Sequence, residues 1–191
     1  MTARLRIATP MSDEETAPWT TPEERAAAAQ FGCARRRAEF LTWRAAVRRE
    51  VGADAAIGYD AVGAPVLINY PLFLSVAHCP GRVAVAVSEA RCTVDIEPAT
   101  RDFGRAAVRY MTPEERALCT DPLWPGIVWC AKEALYKYAG RPGLDLLRDL
   151  RIERFDRAAG RLTGRIAGGP PRELAVQCTD GFLVVALFAS E

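Results

Sequence analysis

The sequence predicts an α+β protein built from two related α+β units, on three observations. Thr21-Pro22-Glu23-Glu24-Arg25-Ala26 recurs identically as Thr112-Pro113-Glu114-Glu115-Arg116-Ala117. Each copy leads into a longer amphipathic helix, over 36–51 in the first half and 127–139 in the second. Each half ends in an apolar strand, over 83–87 and 182–188. A phrase repeated at the same place in two units is the mark of an internal duplication. The boundary is expected near 88–93, giving an N-terminal half of about 1–91 and a C-terminal half of about 92–191. No Pro/Gly/Ser-rich linker parts them, so the halves are expected to pack as one domain over 1–191.

The repeated phrase is itself a helix start. Threonine serves as N-cap, proline takes the first helical position, and a glutamate three residues on closes a capping box. Helices are expected near 23–31, 36–51, 104–111, 113–119 and 127–139. Apolar alternation and short apolar runs predict strands at 56–60, 72–77, 83–88, 92–97, 150–155, 161–166, 173–178 and 182–188. Gly63-Ala64-Pro65, Gly168-Gly169-Pro170-Pro171 and Asp180-Gly181 predict turns. Within 127–139, Ala131, Ala134, Leu135 and Tyr138 fall at i, i+3, i+4 and i+7 and form a buried stripe. That phasing puts Lys132, Glu133, Tyr136 and Lys137 on the opposite, outward side. Within 36–51, Phe40, Trp43, Val47 and Val51 form the core stripe and leave Arg37, Arg44 and Arg48 on an adjacent face. That basic face reads either as a solvated surface or as a phosphate cradle, for which the planar guanidinium fork is suited.

Composition narrows the function. The chain has 191 residues, half of them hydrophobic, and a net charge of +1. So near-neutral a charge argues against nucleic acid or an anionic membrane as partner. No apolar stretch is long enough to span a bilayer, and the first fifteen residues lack the apolar segment of a secretory leader. The six cysteines form no C-x-x-C pair, and with a single histidine, His78, a zinc site is not expected. Reduced cysteines and a cytoplasmic location are the expectation.

Two segments carry the chemistry. On a strand, Val94-Asp95-Ile96-Glu97 turns Asp95 and Glu97 to one face and Val94 and Ile96 to the other. Like charges so placed repel unless a cation or basic side chains stand between them. About thirty residues on, Trp129-Cys130-Ala131-Lys132-Glu133-Ala134-Leu135-Tyr136-Lys137 makes Glu133 and Lys137 neighbours across one helical turn. Taken alone, that pair reads as an exposed ion pair. Together, three carboxylates and a lysine form a set able to hold a hard divalent cation and a phosphate group. His78 closes a strand running into a turn, a place that often lines a cleft.

In this order, Gly63-Ala64-Pro65, Ser75-Val76-Ala77-His78, Val94-Asp95-Ile96-Glu97, Arg109-Tyr110-Met111-Thr112-Pro113-Glu114-Glu115 and Trp129 through Lys137 resemble the 4′-phosphopantetheinyl transferase superfamily. The likeness is greatest to its surfactin-synthetase-activating type and runs from about Arg35 to Gly143. The resemblance implies a 4′-phosphopantetheinyl transferase-like fold of two pseudo-twofold-related α+β halves with an interfacial active site. It implies that coenzyme A is the substrate, with its diphosphate on Mg²⁺ held by Asp95, Glu97 and Glu133. A serine of an acyl or peptidyl carrier protein would attack the β-phosphorus, and 3′,5′-ADP would leave. Glu133 would act as base and Lys137 on the departing diphosphate oxygen. Arg35, Arg44, Ser75 and His78 would contact coenzyme A, and the two-half design implies a monomer.

The chain departs from the family pattern at four positions. Ala64 stands where a basic residue is usual, and Thr93 where glycine is usual, two residues before Asp95. Ser75 and Cys79 replace an asparagine and a serine around the histidine. Two competing functions follow. One is a catalytically degenerate relative that binds carrier protein or coenzyme A. The other is a Mg²⁺-dependent nuclease or phosphohydrolase, which lacks its usual strand lysine after Asp95 here.

Overall fold

The computed structural model describes residues 3–189. Its contacts divide the chain between Ala90 and Arg91 into two compact units.

The first unit starts with strand β1 (Arg4–Ala8), a short helix α1 (Asp13–Thr16) and a 3₁₀ turn over Ala17–Trp19. Sequence periodicity did not announce these; five and four residues are too few for a period to show. Helix α2 (Pro22–Ala29) begins as the sequence predicts. Thr21 accepts from the Glu24 amide, and the Glu24 side chain returns to the Thr21 amide. Helix α3 (Ala34–Val51) follows, then a hairpin of β2 (Ile57–Tyr59) and β3 (Pro65–Leu67), then β4 (Phe73–Cys79) and β5 (Arg82–Ser88). Strand β3 lies partly where only a turn is expected, because the turn over 60–64 closes on Asp60, whose carboxylate accepts from the Val62 and Ala64 amides. The main sheet is antiparallel in the order β1-β5-β4. Trp43, Ala46 and Val47 of α3 pack with Val83, Val85 and Val87 of β5.

The second unit opens with β6 (Cys92–Pro98). The helix expected over 104–111 is not formed. Only a 3₁₀ turn, Ala107–Arg109, appears there, within a segment bent at Gly104. Helix α4 (Pro113–Ala117) repeats the capping box with Thr112 and Glu115, and α5 (Trp124–Ala139) ends at Gly140, whose φ of 62° supplies the left-handed cap. Strands β7 (Leu150–Asp156), β8 (Arg161–Ile166), β9 (Arg172–Thr179) and β10 (Phe182–Phe188) complete an antiparallel sheet ordered β6-β10-β9-β8-β7. Ala131, Ala134 and Leu135 of α5 bury against Leu150, Leu162, Leu183 and Val185 on one sheet face. Gly164 permits that approach, since a Cβ there would sit 2.9 Å from a Leu135 methyl. Among the described residues, no helix is long and apolar enough to cross a membrane.

Helix α5 corrects the expected phasing at one position. Lys132, expected on the outward side, is fully buried. Its ammonium donates to Glu115 at 2.8 Å and to the Leu146 carbonyl at 2.9 Å. Glu115 also accepts from the amides of Thr112 and Ile152, each at 2.8 Å. The first unit uses its capping glutamate in the same way. Glu24 takes both guanidinium nitrogens of Arg48, at 2.7 and 3.0 Å, from α3. In each unit one carboxylate therefore caps a short helix and ties a buried cation of the long helix to it.

Candidate functional site

Strand β6 and helix α5 assemble the candidate site within the second unit. Register fixes the strand side. Asp95 pairs with Val185, Glu97 with Leu183 and Thr93 with Leu187, and those β10 residues face α5. Directly opposite residues of an antiparallel pair share a face, so Thr93, Asp95 and Glu97 all turn toward α5. Val94 and Ile96 are buried on the other face, as their alternation predicts.

Two ties hold the helix on the strand. The Thr93 hydroxyl, 4 % exposed, donates to the Ala134 carbonyl at 2.9 Å. One turn on, the Lys137 ammonium donates to the Val94 carbonyl at 2.9 Å and to Asp95 Oδ1 at 2.7 Å. Thr93 therefore does not block the site; its methyl and hydroxyl are absorbed by the helix. Removing the hydroxyl in Thr93→Val is expected to cost about 1 kcal/mol in a thermal melt, and Thr93→Ser to restore most of it.

The three carboxylates feel one another. Burial pushes the Glu97 carboxyl above its usual value; Asp95 and Glu133 push the same way, while Arg101 and a hydrogen bond from Trp129 oppose them. Burial likewise raises Glu133, with Asp95 adding to it and Lys137 and Arg101 opposing. Cys130, beside them, is driven well above the usual thiol range, first by burial and then by Asp95 and Glu97. Glu97 is ion-paired with Arg101, a partner that no helical or strand spacing announces, since the chain turns at 98–101 between them. Asp95 Oδ2 is buried and makes no hydrogen bond.

Those features fit a hard divalent cation. The donors are all carboxylate oxygens, one of them buried without a partner, and their mutual repulsion is only partly answered by Arg101 and Lys137. Among the described residues, no three His, Cys, Asp or Glu side chains converge on one point, and Glu97 and Asp95 are paired with Arg101 and Lys137.

The remaining predicted residues lie in the first unit. Glu39 of α3 is buried and gathers Arg36 at 3.2 Å, Arg35 at 3.6 Å and His78 at 3.5 Å. Arg36 Nη1 also lies 2.9 Å from His78 Nε2. The sequence names Arg35 and His78 but not Glu39 or Arg36; helical spacing i+3 and i+4 to Glu39 is the signal that finds them. Ser75, three residues from His78 on β4, points to the opposite face and is buried, so the two do not meet. Arg44 is not free for a phosphate. It is 4 % exposed, stacks 3.4 Å from the Phe40 ring centroid, lies 3.4 Å from Glu24 and donates to the Tyr59 hydroxyl at 2.6 Å. Phasing alone shows that Arg44 leaves the core stripe, but not that Glu24 and Tyr59 cover it.

A search of curated proteins returns no match to the chain. A family model does match, that of the 4′-phosphopantetheinyl transferase superfamily, over residues 91–182. The matched span begins one residue before β6 and includes all of α5, so it contains every carboxylate and lysine of the cluster. Residues 91–182, just under half of the chain, are thus similar to a domain of the 4′-phosphopantetheinyl transferase superfamily.

Proposed function

We propose that the protein transfers 4′-phosphopantetheine from coenzyme A to a serine of an acyl or peptidyl carrier protein and releases 3′,5′-ADP. One observation carries this reading. Asp95 carries a buried Oδ2 without a hydrogen bond and pairs through Oδ1 with Lys137, and it lies near enough to Glu97 and Glu133 for its charge to act on both. Asp95, Glu97 and Glu133 would hold Mg²⁺. When bound, that ion supplies charge neutralisation on the diphosphate.

The chain's own groups do the rest. Glu133 lies on α5 one turn before Lys137 and within reach of the Asp95 charge, and burial raises its carboxyl above the usual value. Glu133 is therefore the group assigned to take the proton of the attacking serine. Lys137, 30 % exposed at its side chain, keeps a donor on the Val94 carbonyl, which orients its ammonium. Its positive charge is assigned to the leaving diphosphate oxygen, where charge grows during transfer. Positioning and charge account for the step, and no residue needs to be covalently modified. In the first unit, Arg35 and His78 are assigned to a phosphate of coenzyme A; Arg44 is assigned to the scaffold.

Lys137→Ala is expected to lower kcat by roughly 10²-fold while changing coenzyme A affinity only a few-fold. An interaction stronger in the transition state than in the ground state gives that split. Equal losses of both would mark Lys137 as a ground-state binding group. The reading as a whole is tested by incubating the protein with an apo carrier protein, coenzyme A and Mg²⁺ and weighing the carrier. A phosphopantetheine gain in mass is expected. No gain with any of several acyl and peptidyl carriers would leave a binding module instead.

A further inference from the structure

Two side chains of the chain answer the carboxylate cluster, and they are held differently. Lys137 is tied to the strand backbone through Val94. Among the described residues, Arg101 makes no such tie. Beyond its ion pair with Glu97, its guanidinium carbon lies 4.8 Å from the Phe103 ring centroid and 5.4 Å from that of Trp129. The two rings are themselves in contact, with centroids 6.4 Å apart. A guanidinium on aromatic faces keeps its place without a carboxylate partner, because the ring quadrupole and the flat stack hold it. The side chain is 45 % exposed while Glu97 is 15 % exposed, so Arg101 covers the carboxylate from the solvent side. It also borders a groove of about 180 Å³ with Phe103, Leu123, Gly126 and Leu183, which leaves room for it to turn.

A cation bound through Glu97 and the Arg101 guanidinium compete for the same carboxylate. Once displaced, an arginine stacked on two rings presents its donors to the nearest anion, and its planar fork matches phosphate oxygens. Resting on the metal reading above, we propose that Arg101 is the counter-ion of the metal-free cluster. When a divalent cation takes Glu97, its guanidinium turns to the diphosphate of the bound nucleotide while staying on the Phe103 and Trp129 rings. The same residue thus weakens binding of the metal alone and strengthens binding of the metal with its anionic substrate.

These two effects have opposite signs, and Arg101→Gln separates them. Calorimetric titration with Mn²⁺ alone is expected to show roughly threefold to fivefold tighter binding than wild type, the size of an exposed ion pair lost from the competing state. Titration with coenzyme A in saturating Mn²⁺ is expected to show about tenfold weaker binding, the size of a lost charged hydrogen bond. Arg101→Lys, which keeps the charge but not the fork, is expected to leave Mn²⁺ affinity near wild type and to recover only part of the coenzyme A affinity. Unchanged or weaker Mn²⁺ binding by Arg101→Gln would overturn the proposal, as would unchanged coenzyme A affinity. Wild-type protein that binds no Mn²⁺ would overturn the metal reading itself, a result distinct from either of those.

Discussion

Lys132→Met is expected to lower the stability of the protein by about 3–5 kcal/mol, a drop of roughly 10 °C in melting temperature. The reason is what stays behind. Lys132 and Glu115 are 0 % and 1 % exposed, and the ammonium is within 2.8 Å of the carboxylate. Burial pushes the Lys132 ammonium below its usual range and Glu115 pulls it back. Methionine fills the space but leaves the Glu115 carboxylate buried with only the Thr112 and Ile152 amides. Helix α4, the middle of α5 and the start of β7 meet at that carboxylate, so the loss spreads through the unit. The Trp124 indole adds to the junction by donating to the Glu115 carbonyl at 2.8 Å. Lys132→Met/Glu115→Gln should be less destabilised than Lys132→Met, because the unpaired charge is gone and a neutral acceptor remains. Thermal melts followed by circular dichroism read both. A single variant melting within about 2 °C of wild type would mean the pair is not buried as described.

The second large effect is on activity. Asp95→Ala is expected to reduce transfer by about 10³-fold or more without loss of fold. Among the described residues Asp95 Oδ2 is buried without a hydrogen bond, and Glu97 and Glu133, raised first by burial, are raised further by the Asp95 charge. Removing it therefore relieves repulsion, while Lys137 keeps its bond to Val94. Stability is expected to stay the same or rise, the trade expected where a charged site is maintained for function. Mn²⁺ affinity should fall with it.

Much of the scaffold is readable from residues because local chemistry settled it. The two Thr-Pro-Glu-Glu phrases each form a capping box, and the strand alternation of Val94-Asp95-Ile96-Glu97 delivers both carboxylates to one face. What escaped reading depends on partners distant in sequence. Lys132 lies one residue from Ala131 in the core stripe, and only Glu115, seventeen residues earlier, makes its burial tolerable. Arg44 and Arg48 are drawn inside by Glu24 in the same way. Glycine is usual at the position of Thr93; here the threonine is accommodated because the Ala134 carbonyl accepts its hydroxyl. Arg101 reaches Glu97 only through the turn at 98–101, a geometry with no sequence period. The segment 104–111 reads as helix by composition, yet Gly104 and the packing of Phe103 against Trp129 leave it a single 3₁₀ turn.

The central claim is that the carboxylates of β6 and α5 work a phosphopantetheine transfer, and one paired measurement tests it most directly. Wild-type protein and Asp95→Ala are each incubated with apo carrier protein, coenzyme A and Mg²⁺, and the intact carrier is weighed over time. Conversion of the carrier by wild type is expected, and none above background by a folded Asp95→Ala. Near-wild-type conversion by Asp95→Ala would contradict it.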